Sequence, residues 1–141
     1  MIQSLSDKLL SILSPLQWVW QPFVSVKDYH TLENDGYPFL TFEPVSFEAS
    51  VLDTCNNNRT YRFQILIFQE IDGRWWRKAA KEIISKSINT VIDIIDENYT
   101  LDNTVTRVAP VSWNITPFSI SNWDALVADI TVDIQTIEYI K

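Results

Sequence analysis

One cysteine, two glycines and one histidine in 141 residues close off most familiar site chemistries. Cys55 has no partner within the chain, so no internal disulfide can form. With His30 the only imidazole, no CxxC and no calcium-loop pattern, a metal site has no support. A nucleophilic pair would have to join His30 to Cys55 across polar loops with no recognisable signature, so an enzyme is not expected. His30 itself reads as a surface loop residue. Gly36 and Gly73 stand alone, which excludes a Gly-rich phosphate loop, and no cofactor is expected. No apolar run reaches the length of a membrane span, and Met1 to Leu13 lacks the pattern of a signal peptide. The expectation is a soluble chain made in a reducing compartment, with no membrane partner. Basic residues are also scarce, 11 against 18 acids. A net charge of −7 argues against a reader of nucleic-acid sequence.

What is present is apolar and aromatic: 46% hydrophobic and 13% aromatic residues, enough for one domain with a proper core. The charge is uneven. Residues 74–86 hold five basic side chains and one acid, +4 in all, which leaves −11 for the remainder of a −7 chain. A basic patch on an acidic body follows.

The organising stretch runs from Arg59 to Glu97. Arg59 to Ile71 alternates as a strand, with Tyr61, Phe63, Ile65 and Ile67 on one face and Leu66 and Phe68 making the other apolar in its middle. That pattern predicts a central strand. Asp72-Gly73 breaks it. Trp76, Ala80, Ile83, Ile84, Ile88, Val91 and Ile95 then recur at spacings of three and four, and Ala79, Ile92 and Ile94 widen the stripe. So the long helix should lie on a sheet and also meet a second element. Its charges oppose the macrodipole: Arg74, Arg77, Lys78 and Lys81 crowd the start, and Asp93, Asp96 and Glu97 the end. Local rules are broken where function asks for it, although exposed charges cost little by themselves. Trp75, at the margin of the stripe beside two arginines, has either the composition of an interface anchor or that of a large core cap.

Elsewhere Ile2, Leu5, Leu9, Ile12 and Leu13 predict a first helix ended by Pro15. Val24 to Lys27 and Phe39 to Phe42 predict short strands, the second ended or bulged at Pro44. Trp18 and Trp20 belong to an aromatic stretch that is either strand or connection. Residues 45–58 predict a long polar loop, mobile in an isolated subunit, with Phe47, Val51, Asp53 and Asn57 as candidate assembly residues. Val105 to Trp113 predicts a strand interrupted at Pro110, and Ser119 to Asp124 a turn. In the last strand, Ala125 to Ile140, apolar Ala128, Ile130, Val132 and Ile134 alternate with Asp129, Thr131, Asp133 and Gln135. Its wet face is therefore acidic. Such carboxylates could bind a divalent ion weakly, but a solvated face is the simpler reading. The predicted fold is α+β: a largely antiparallel sheet of about five strands with two helices packed on one face.

With these stretches placed, the chain resembles the tail terminator (tail-completion) proteins of long-tailed bacteriophages. The resemblance rests on a first helix near Ile2–Leu13 and on Tyr29 followed by Gly36-Tyr37-Pro38-Phe39-Leu40-Thr41-Phe42-Glu43-Pro44. Val51-Leu52-Asp53-Thr54, then Asn58-Arg59-Thr60-Tyr61-Arg62-Phe63, then the long helix and the acidic last strand complete it. The resemblance implies a hexameric ring that caps the tail tube, stops its growth and offers the surface joined by the head. The partners it implies are other copies of the chain, the tail tube protein and a head–tail connector protein, with DNA passing through without specific binding. Assembly would take place in the host cytoplasm and the product would sit in the virion. Under that reading Arg74, Trp75, Arg77, Lys78 and Lys81 are candidates for the subunit interface, and Asp129 and Asp133 for an acidic lumen. The alternatives are another neck protein, or a monomeric ligand- or peptide-binding domain with Trp18 and Trp20 lining a pocket.

Overall fold

The structure is a computed structural model that describes residues 2–17, 23, 25–32, 36–51, 56–71, 76–101, 105–120 and 123–139. The elements in order are α1 (Ile2–Leu13), a 3-10 turn (Ser14–Gln17), β1 (Ser25–Lys27), β2 (Phe39–Val51), β3 (Asn56–Glu70), α2 (Trp76–Glu97), β4 (Arg107–Ile120) and β5 (Trp123–Tyr139). The strands form one sheet in the order β1-β2-β3-β5-β4, with β1 parallel to β2 and every other pair antiparallel. Both helices lie on one side. This is the α+β layer that the alternation of the sequence predicts.

β3 is the central strand. Its Tyr61, Phe63, Ile65 and Ile67 are buried under the helices, beside Ala128, Ile130, Val132 and Ile134 of β5. Ala80, Ile84, Ile88, Val91 and Ile95 of α2 close the core from above, with Leu5, Leu9 and Leu13 of α1 packed beside them. The apolar stripe of α2 is narrower than its spacing suggests. Ile92 and Ile94 are partly buried, but Ile83 is 40% exposed. On the opposite, helix-free side, Phe39, Phe68 and Val127 form a second, small cluster, with Phe39 and Phe68 stacked at 4.6 Å. The apolar middle that Leu66 and Phe68 lend to the second face of β3 is used here.

Three local expectations are overturned. Residues 45–51 and 56–58 are not loop. β2 continues to Val51 and β3 begins at Asn56, paired from Ser46↔Arg62 to Val51↔Asn57 past a register shift between Pro44 and Ser46. The polar composition misleads because strands need only a backbone ladder, and the β2 side of this one is exposed throughout. The turn expected at Ser119 to Asp124 is shorter, since Ser119↔Asp124 and Ile120↔Trp123 are strand pairs. Pro110 does not interrupt β4. The strand absorbs it with a register shift between Pro110 and Ser112.

Candidate assembly surface

Beyond the helices the sheet continues as an arm of three strands. Val51 of β2 lies opposite Asn57 of β3, which lies opposite Glu138 of β5. Every residue of β2 from Pro44 to Val51 is exposed. Phe47 is 50% and Val51 73% exposed, and Ile137 of β5 is exposed as well. The Phe47 ring sits 5.1 Å from that of Tyr61, which anchors the root of the arm to the core. Three of the predicted assembly residues, Phe47, Val51 and Asn57, thus meet in one element. Asp53 lies outside the described residues.

Lys78 and Lys81 sit at the other end of the sheet. β3 runs away from the arm, and α2 returns over it. Lys81 therefore neighbours Leu126, Ile115 and Pro117 at the far end, whereas Asp96, near the end of α2, neighbours Arg107 at the arm's base. Lys78 and Lys81 are exposed. Arg77 belongs to the first turn of α2, while Arg74 and Trp75, like Trp18 and Trp20, lie outside the described residues. The arm and the lysine patch are brought not together but to opposite ends of one subunit.

Asp129 and Asp133 point away from the helices, as the alternation of β5 requires. Neither is a bare charge. Arg62 donates from Nε to Asp133 Oδ1 at 2.8 Å and from Nη2 to Oδ2 at 3.0 Å, a two-pronged ion pair across β3 and β5. The Arg62 guanidinium is held above its ordinary pKa, first by the hydrogen bond to Asp133 and then by that carboxylate's charge, against desolvation and with a lesser contribution from Glu48. Gln64 Nε2 donates to Asp129 Oδ2 at 3.0 Å. The acidic face is thus partly compensated, with Asp129 keeping more of its field than Asp133. Sequence reasoning missed Arg62 and Gln64 as partners. The signal was the alternation of β3, which puts both on its second face, but pairing them with β5 needs the register.

His30 lies outside helix and strand, after β1, and is partly buried. Its backbone N–H donates to Glu43 Oε1 at 2.7 Å, and its ring Nδ1 is hydrogen-bonded with Thr41 Oγ1 at 2.8 Å. These bonds tie the segment after β1 to β2. Beside it, on the helix-free side, a concavity of about 360 Å³ is lined by His30, Leu32, Leu66, Phe68 and Phe118 among others. Among the described residues no group of three or more His, Cys, Asp and Glu side chains could hold a metal ion, and no described helix is long and apolar enough to cross a membrane. No protein-family model and no curated protein matches the chain.

Proposed function

We propose that the chain is a phage structural protein whose copies close into a ring, hexameric by its resemblance to tail terminators, that caps the tail tube and receives the head. The observation that carries this reading is the arm. A lone subunit leaves Phe47, Val51 and Ile137 exposed on the sheet extension, Phe47 beside the start of α1, and an assembly gives them something to bury against. The opposed ends support it too. Head-to-tail contacts close into rings when the rotation allows, and a subunit with lysines at one end and an arm bearing exposed apolar side chains at the other is suited to such contacts. In the ring, the net charge of −7 and the Asp129 face would let DNA pass without adhering.

Light-scattering mass of the purified chain, with negative-stain images, tests the proposal. Rings of uniform mass, formed alone or on tail tubes, are expected. A monomer at every concentration and on tubes rejects it. One observation favours a second reading, a monomeric ligand-binding domain: the concavity beside Phe68 and Phe118 has the apolar lining and lone imidazole of a small-molecule site. A monomer in which an apolar fluorescent probe shifts the amide signals of His30 and Phe68 would be its signature.

A further inference from the structure

Among the described residues the two edges of the sheet are open in complementary places. Among the described residues, β1 pairs with β2 only at Phe39 to Thr41, and no strand pairs with the outer edge of β2 from Val45 to Val51. At the other edge of the sheet, the N–H of Val108 points outward and donates to Tyr99 O at 2.7 Å, so the start of β4 is taken by the turn after α2. Outward positions alternate from there. Next comes Pro110, then, past the register shift, Trp113, Ile115 and Pro117. The prolines offer no donor, so the open window of β4 is the short stretch from Val111 to Thr116. Exposed large apolar side chains gather on these same two windows: Val45, Phe47 and Val51 on one, Val111 and Trp113 on the other.

We propose that the Val45–Val51 edge of β2 in one copy pairs with the Val111–Thr116 edge of β4 in the next, so that the sheet runs on from subunit to subunit. This rests on the ring reading and names its contact. The occupant is a second copy for reasons of direction and face. β2, β3, β5 and β4 alternate in direction, so the β4 of one copy runs antiparallel to the β2 of a neighbour in the same orientation, with both helical layers on one side. On that side β2 presents Phe47, and β4 borders a groove of about 490 Å³ between Trp113, Ile115, Pro117 and Lys81. An aromatic ring fills such a groove. The two windows lie at different heights. Ser46 to Val51 is level with residues 57–62 of β3, whereas Ser112 to Thr116, through β5, is level with residues 64–68. Pairing them staggers each copy against the last, the offset that a sheet needs in order to close on itself.

Disulfide trapping tests this on the full chain. In a Cys55→Ser background, Ser46, Glu48 or Ser50 is changed to cysteine and combined with Ser112→Cys or Asn114→Cys. All five positions are exposed on the helix-free side, so the fold should hold. Under a mild oxidant in the assembled state, at least one pair should give a ladder of covalent multimers on a non-reducing gel, while every single-cysteine variant stays unlinked. Rings of normal mass with no ladder from any pair overturn this contact and leave the ring reading standing. A covalent dimer from Glu48→Cys alone overturns it in favour of symmetric β2–β2 pairing. A chain that remains monomeric throughout removes both.

Discussion

Phe63 has no exposed surface, and its ring lies 6.4 Å from that of Phe42 in the layer between α2 and the sheet. Truncating it removes transfer energy and leaves a void that its rigid strand neighbours cannot fill. Phe63→Ala should therefore cost about 3–5 kcal/mol in a urea titration. A loss below about 1 kcal/mol would show that this core is far looser than its burial implies. The Arg62–Asp133 pair is a different kind of residue-scale contact, because the arginine is substantially exposed. Its raised pKa means that the stabilisation from the arginine is complete below the ordinary value and fades only as pH climbs through the folded one. That window lies far above neutrality, so the arginine adds no pH dependence in the physiological range. The pair should appear instead in a double-mutant cycle. Asp133→Asn and Arg62→Gln each weaken the fold slightly, the swap Arg62→Asp with Asp133→Arg recovers part of the loss, and the coupling shrinks as salt rises. Coupling that does not respond to salt would mean that the two side chains interact through packing.

At the scale of elements, the arm and the body should differ in local stability. The body strands lie under apolar helices, whereas Ser46 to Val51 is exposed and Asn57 to Thr60 only partly buried. In hydrogen exchange on the free subunit, amides of the arm should exchange well ahead of those from Phe63 to Ile67. Equal protection across the full length of β3 would reject that division. The same contrast explains what could be read from the sequence. Tyr61 to Ile67, Ala128 to Ile134 and the α2 stripe are legible because burying one face imposes a period of two or of three to four. The arm reads as loop because its exposed β2 side imposes no period, and because part of its support comes from β5, far along the chain. The lysine cluster and the acidic alternation were legible as charge. Their surroundings were not. The partners of Asp129 and Asp133, and the separation of Lys81 from Phe47 along the molecule, depend on register and on the path of α2 over the sheet.

For the whole molecule the question is whether its polarity drives assembly. Lys78 and Lys81 are exposed near the start of α2, on a chain whose remainder outside residues 74–86 carries −11. In a head-to-tail ring that end meets a neighbour rather than water, and the lysines then face acid across the contact. Lys78→Glu with Lys81→Glu should leave the subunit folded, within about 0.5 kcal/mol of the parent, because substitutions at wet positions on a helix disturb nothing packed. Assembly should suffer far more. At low ionic strength the scattering mass of the variant should fall toward that of a monomer. Salt supplies the control, since screening shortens from about 10 Å at 0.1 M to about 3 Å at 1 M and weakens attraction and repulsion alike. The gap between parent and variant should therefore narrow as salt is added. If the reversed chain forms rings of parental mass at every ionic strength, the lysines lie off the contact, and the ring, if it forms, is held by its strand edges alone.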